Sequence, residues 1–558
     1  MRPLALLTLL ANVGAMLSHT TQHGQPILKL PYGSWQATKY DEKADVYTFR
    51  NIRYAAPPTG SRRFAKPEPP LTMSRLQDGS WGPSCIPVAP PTPTGTAPSN
   101  SPTATSSTHS EDCLFLDLYV PGNSFRESKR HPVVVYIHGG SYTGGSKQDS
   151  LATGIFDGTG IVYQADQNAI VVTINYRLGA FGWLGGSTAE AEGITNLGLR
   201  DQRAALKWVQ EYIHLVRGDP NDVSLWGESA GAGSILHHLV QKGGRRDPLF
   251  HRAVIQSPGF VYSFDRKGRI DNTVKLLADQ VGCADASFDC LRNVSVGALE
   301  TAQYALGQDP YAAQVSGFGP VPDGDLIPDV PAVGFASGRY WKHLDSLIVS
   351  HTSNEGLLFV DSSIRTDEDT TTFLKGLFRE EEAAALIEGR YPPINSPNAN
   401  YTDQKARLIA IVGDSTFLCN CRWVSDAFQD RAYNVQWSVG TGVHGSDIPA
   451  TWFNPTLFIE ILGQNISVAD LLGHRGLYQG YQSYLVSHTR KGNPNVYRNA
   501  TAVPPTIGWP LAGNRTLDML TALNVTDDGF QLIKDQQTSR HVCDFWRDLY
   551  IGLAKRWM

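Results

Sequence analysis

The sequence predicts an α/β fold in which a large, mostly parallel central sheet is flanked by helices and carries long loop insertions. Three features predict it. Short β-branched runs recur and end in turn residues, longer helical patterns separate them, and the runs are apolar throughout, as strands covered on both faces must be. The runs are VVVYIHGG (Val133 to Gly140), IVVTINYRLG (Ile170 to Gly179), VSLWGESAG (Val223 to Gly231), RAVIQSPG (Arg252 to Gly259) and SLIVSHTSNEG (Ser346 to Gly356). Among the helical patterns, DQRAALKWVQEYI places Ala205, Trp208, Val209, Tyr212 and Ile213 on one face. The RGDP that follows is expected to stop this helix at Gly218 and Pro220.

At the N-terminus, MRPLALLTLLANVGAMLS has one basic residue, Arg2, then an apolar run too short to span a bilayer, then small residues. That is the pattern of a signal peptide over residues 1–18, cleaved at about residues 15–21. The chain has 558 residues, and 22–558 is expected to form one domain enlarged by insertions. The most biased insertion lies between Cys85 and Cys113, where Pro, Ser and Thr dominate and no aromatic residue occurs. Such a segment cannot build a core of its own, so residues 86–112 are read as a surface loop closed by a Cys85–Cys113 disulfide.

Two further features agree with secretion. Asn-x-Ser/Thr sequons, candidate glycosylation sites, stand at Asn293, Asn400, Asn465, Asn499, Asn514 and Asn524. Seven cysteines leave at least one thiol unpaired if the others form the bridges expected in an oxidising compartment. No later apolar segment is long enough to span a bilayer, and no retention or lipidation signal follows. The expectation is a secreted, extracellular protein with no stable membrane insertion. A net charge of −5 without a basic stripe gives no electrostatic reason to bind nucleic acid.

The chemistry concentrates at SLWGESAGAGSI (Ser224 to Ile235), where a strand runs through Gly227-Glu228-Ser229-Ala230-Gly231 into a helix. A serine on such a turn sits in a strained conformation with its hydroxyl exposed at the carboxyl edge of the sheet. The small neighbours let other chain approach, and the helix N-terminus favours negative charge there. A serine hydroxyl needs a base, and the base an acid, later in the chain. Glu355 and His444 are in that order, each in a glycine-flanked loop after a strand. Asp447 and Glu228 are weaker candidates for the acid, and Glu228 is read as a supporting group. His237 and His238 are read as packed locally. The C-x-C pair Cys419 and Cys421 has no partner ligands nearby, so no metal site is expected. The loop after VVVYI supplies Gly139 and Gly140, whose amides, with that of Ala230, are candidates for an oxyanion hole.

With these residues in place the chain resembles the type-B carboxylesterase family of α/β-hydrolases, which includes cholinesterases, fungal lipases and the non-catalytic neuroligins. The likeness is carried by FRNIRYAAPPTGSRRF (Phe49 to Phe64), EDCLFLDLYVP (Glu111 to Pro121), NYRLGAFGWL (Asn175 to Leu184), NLGLRDQRAALKWV (Asn196 to Val209), GESAGAGS (Gly227 to Ser234), SNEG (Ser353 to Gly356) and HGSDIP (His444 to Pro449). The resemblance implies Ser229 as nucleophile, His444 as general base then acid, Glu355 as the orienting acid, and Gly139, Gly140 and Ala230 as the oxyanion hole. It also implies three disulfides, Cys85–Cys113, Cys283–Cys290 and Cys419–Cys543, with Cys421 left over.

The resemblance further implies a secreted serine esterase that acts through an acyl-enzyme on a small to medium organic ester, without cofactor or metal. A lipase acting on long-chain acylglycerols is the alternative within the enzyme class, and a neuroligin-like binding protein the alternative outside it. In relatives the loop between the first two cysteines lies over the gorge to the serine, as an aromatic choline site in cholinesterases or an apolar lid in lipases. Here it has neither aromatics nor an amphipathic helix, which argues against a choline ester and against an interfacially activated lipase. Ser141-Tyr142 follows the two glycines where many relatives place Phe first.

Overall fold

The computed structural model describes residues 24–90, 109–148, 155–260, 264, 268–283, 286–307, 318–360, 363–378, 381–399, 401–454 and 473–557. The expected signal peptide, most of the loop between Cys85 and Cys113, and the sequons at Asn400 and Asn465 lie outside these residues.

In chain order the strands are β1 (Ile27–Leu30), β2 (Gly33–Gln36), β3 (Lys39–Asp41), β4 (Val46–Arg53), β5 (Leu76–Gln77), β6 (Phe115–Pro121), β7 (His131–Ile137), β8 (Ile170–Ile174), β9 (Gly218–Glu228), β10 (Arg252–Gln256), β11 (Ser346–Thr352), β12 (Ala432–Trp437), β13 (Thr521–Thr526) and β14 (Gly529–Lys534). Among the described residues β1, β2 and β5 form a small sheet, and eleven strands form the large one in the order β14-β13-β12-β11-β10-β9-β7-β8-β6-β4-β3. From β8 to β13 every pairing is parallel. The edges are antiparallel: β3, β4 and β6 on one side, β14 on the other. At the β14 edge the reason is local, because β13 and β14 pair directly across the two-residue Asp527-Asp528 turn, which permits only an antiparallel return.

Along the central strands successive side chains enter opposite cores. Leu225, Ala253 and Ile255 pack in one cluster with Trp35 and Trp183; Trp226, Val254 and Tyr136 pack in the other with Trp437 and Trp509. Burial on both faces explains why these strands read as unbroken apolar runs. The helix Leu197–Tyr212 buries Ala205, Trp208 and Val209, as its pattern predicts. It ends earlier than expected. A short 3₁₀ turn, Ile213–Val216, follows, and Arg217 takes the left-handed conformation at φ 68°. Gly218 and Pro220 then belong to β9, the strand that ends at the serine.

The cysteines are bonded Cys85–Cys113, Cys283–Cys290 and Cys419–Cys543, and Cys421 is a buried free thiol. Two of the described sequon asparagines, Asn293 and Asn514, are exposed, and Asn499 is half-buried. Asn524 stands apart from these three. It lies within β13, 8 % exposed, with its side-chain carbonyl accepting from the Ser438 hydroxyl, so the folded sheet closes it to a glycan.

Candidate active site

Four loops meet at the carboxyl edge of the parallel strands. β9 delivers Ser229 at φ 54° and ψ −122°, immediately before the helix Ala230–Val240. This is a strained conformation for a non-glycine residue, and its neighbours over-determine it. The Ser229 amide donates to the Gln256 carbonyl at 2.9 Å, while its carbonyl accepts from Gly233 at 2.8 Å and Gly259 at 3.0 Å. A Cβ on Gly231 would stand 2.0 Å from the Ile137 carbonyl oxygen, so β7 can run against this turn because residue 231 has no side chain.

β11 and β12 supply Glu355 and His444, sequence neighbours of neither Ser229 nor each other. Their loops are tied by an isolated bridge between Asn354 and Val443 and by the Asn354 amide donating to Gly442 at 2.9 Å. His444 Nδ1 meets Glu355 Oε2 at 2.5 Å, and the other carboxylate oxygen of Glu355 accepts from the Thr352 amide at 2.7 Å. Glu355 is 2 % exposed. Phe359 and Phe417 wall the imidazole, with ring centroids 5.0 Å and 4.4 Å from it. His444 Nε2 has no hydrogen-bond partner and lies 3.3 Å from Glu228 Oε1. The ring is therefore held from one side, and its other nitrogen is buried without a partner. In an unliganded site the bond from serine to base commonly tightens only with substrate.

Three carboxyl groups surround this one imidazole. Burial by itself lowers the His444 pKa, but Glu355, Glu228 and Asp447 together raise it to about 9. Burial raises Glu228 to about 8 against the pull of His444. Glu355 is driven up by burial and more than brought back by His444, ending below its ordinary value. Burial lifts Asp447 to about 6, and that carboxylate accepts from Gln256 Nε2 at 2.7 Å rather than bonding His444. Glu355 is thus the ionised partner that fixes the ring. Glu228 stands 3.3 Å from the other ring nitrogen without a hydrogen bond to it.

β7 brings the glycine loop over the serine. A Cβ on Gly139 would fall 3.0 Å from Ser229 Cβ and 2.6 Å from Glu228 Oε2, so this backbone passes directly across the hydroxyl-bearing residue. Gly140 follows at φ 104°, and Ser141 and Tyr142 continue in the left-handed region at 56° and 62°. Ala230 is the first helical residue, so its amide has no intrahelical acceptor. Tyr142, by contrast, turns inward: it is 3 % exposed, edge-on to Trp183, and its phenol donates to the Gly259 carbonyl at 3.4 Å. The remaining histidines on the serine's helix are engaged locally, His237 with the Gly233 carbonyl and His238 with Gln202 and Gln241.

The model of the Carboxylesterase family matches residues 24–528. The chain belongs to this family. A secreted lipase from Arthroderma benhamiae is 40 % identical over 537 residues, covering 95 % of this chain and 94 % of that protein. Carboxylesterase patB of Aspergillus clavatus is 30 % identical, covering 94 % and 96 %. Among solved structures, Aspergillus niger EstA superposes with a TM-score of 0.80 at 26 % identity, over 96 % of this chain and all of that one. This carboxylesterase is accordingly a carboxylic ester hydrolase with an α/β-hydrolase fold. Among its described residues no helix is long and apolar enough to cross a membrane.

Sequence reasoning named Ser229, Glu355, His444, Gly139, Gly140 and Ala230, and the fold brings all six to one edge. It missed Phe359 and Phe417, whose packing on His444 is visible only in space. It also passed over His138, although its position directly before the glycine pair was a usable signal.

Proposed function

We propose that this carboxylesterase hydrolyses small to medium organic esters through an acyl-enzyme on Ser229, and that it works outside the cell. The observation that carries the reading is the strained Ser229 beneath the Gly139 backbone, beside a His444–Glu355 pair closed to 2.5 Å with the second imidazole nitrogen open. Ser229 Oγ attacks the ester carbonyl carbon and its proton passes to His444 Nε2. The developing oxyanion takes hydrogen bonds from the amides of Gly139, Gly140 and Ala230. His444 then returns the proton to the departing alcohol, and a water activated by the same nitrogen releases the acid and restores the serine. Secretion is supported by the apolar, small-residue N-terminus and by the secreted relative.

Ser229→Ala tests the reading. Turnover of p-nitrophenyl butyrate should fall by about 10⁴-fold or more with thermal unfolding unchanged; undiminished turnover would overturn it. The 40 % identity to a protein named as a lipase favours one second reading, action on long-chain acylglycerols. A rate that jumps as triolein passes into emulsion selects that reading, and a smooth saturation curve on soluble esters selects the first. The presence of Ser229, Glu355 and His444 together speaks against a purely adhesive role.

A further inference from the structure

We infer that His138 is a positioning residue of the oxyanion hole: its Nδ1–H pins the Gly139 carbonyl and so aims the Gly140 amide at the reacting centre. The inference rests on the role proposed above for the Gly140 amide.

The geometry is specific. His138 is 1 % exposed, and its Nδ1 lies 2.8 Å from the carbonyl oxygen of Gly139. A carbonyl only accepts, so Nδ1 carries the proton. Burial pushes the ring's pKa down to about 4, leaving the neutral Nδ1–H form in place across the working range. In a trans peptide the C=O of residue 139 and the N–H of residue 140 share one plane and point in opposite directions. Holding the oxygen against His138 therefore fixes the direction of the hydrogen on Gly140. That restraint is needed here because Gly140 sits at φ 104°. Glycine enters that region readily and leaves it as readily, so nothing intrinsic to the peptide prevents a flip.

The ring is itself held on both sides. It stacks on Tyr176 with centroids 4.4 Å apart and planes 16° from parallel, and the Tyr176 phenol donates to the His138 carbonyl at 2.9 Å. On the far side Gly145 packs its backbone over the bond: a Cβ there would lie 2.5 Å from His138 Nδ1 and 2.6 Å from the Gly139 oxygen. The next residue before Tyr176, Asn175, donates from its amide nitrogen to the Cys113 carbonyl at 3.1 Å. The peptide over Ser229 is thus braced against the foot of the Cys85–Cys113 loop.

Two substitutions separate the hydrogen bond from the packing. His138→Phe keeps a ring for Tyr176 and removes the donor. His138→Asn removes the ring but keeps an amide nitrogen close to the place of Nδ1. If the inference holds, His138→Phe lowers kcat on p-nitrophenyl butyrate by about 10²- to 10³-fold with KM little changed, the cost of one oxyanion donor. Affinity for a trifluoromethyl ketone, which forms the tetrahedral adduct, should fall in parallel, and His138→Asn should recover most of both. Should His138→Phe fail to fold, His138→Gln takes its place, since its amide nitrogen overlies Nε2 and cannot reach the Gly139 oxygen. A donor-less variant whose kcat stays near wild type overturns the inference, as does an equal loss in the Asn variant. Ser229→Ala is the control: if it retains activity, the proposed mechanism fails independently of His138.

Discussion

Two buried histidine–carboxylate pairs lie at the carboxyl end of β11, one through His351 within the strand and one through Glu355 just after it, and their ring nitrogens are used differently. His444 Nδ1 meets Glu355 at 2.5 Å, and His444 Nε2 is left without a partner. His351 Nε2 meets Asp535 at 2.9 Å, and its Nδ1 is already spent on the Thr352 carbonyl at 3.0 Å. Asp535 is saturated too, accepting from the Gln537 amide at 3.0 Å and from the Thr538 hydroxyl. The second pair is a brace, because both ring nitrogens are occupied and no proton can move. The first pair differs because His444 Nε2 has no hydrogen-bond partner, which is the condition the proposed proton transfer requires. A histidine beside an acid does not make a site unless a ring nitrogen is left with unused hydrogen-bonding capacity.

Substitutions test the contrast in order of expected effect. His444→Gln should cut kcat/KM by about 10⁴-fold or more without loss of thermal stability. His351→Leu should leave turnover near wild type, and a large loss of turnover there would erase the distinction between the pairs.

The second expectation is thermodynamic. His351→Leu strands a buried Asp535 carboxylate, which costs about 3–5 kcal/mol in denaturant unfolding. The pH dependence has a definite sign. Asp535 and Thr352 raise the folded-state pKa of His351 above 6.5 despite burial, so its contribution is complete below pH 6.5 and fades as pH rises through the folded value. Asp535 is held below 3.8 by His351 against burial, so its contribution is present above pH 3.8 and lost as pH falls through the folded value. The stability gap between wild type and variant should therefore be widest between these limits. A gap that does not vary with pH would remove the ion pair as its cause.

The smallest effect concerns the free side of His444. Ionised Glu228 raises the His444 pKa, and under the proposed mechanism only deprotonated His444 can take the serine proton. Glu228→Gln should move the acid limb of the kcat/KM profile to lower pH by about one pH unit. A limb that stays in place would show that Glu228 is already uncharged there.

Much of this was legible in the chain, and the illegible parts share a physical character. The central strands could be read because double-sided burial leaves unbroken apolar runs. Ser229 could be read because a strand, a small-residue turn and a helix are contiguous. The end of the helix Leu197–Tyr212 was misplaced because Arg217, not a glycine, adopts the left-handed conformation that closes the turn. The burial of Asn524 could not be read because the three residues of a sequon carry no record of the sheet that covers it. The His351–Asp535 brace joins positions 184 residues apart and has no motif at all.

By itself, then, the sequence determined the central strands, the strand-turn-helix elbow that carries Ser229, and the candidates for acid, base and glycine loop, since each is a local pattern of period, turn and residue type. Tertiary structure decided which groups are open. Whether an imidazole nitrogen is filled, whether a carboxyl stays charged and whether a peptide can flip depend on burial and on neighbours brought from distant strands. Those are properties of an environment, and His444, His351 and His138 differ in which ring nitrogens are engaged because the fold surrounds the same ring three different ways.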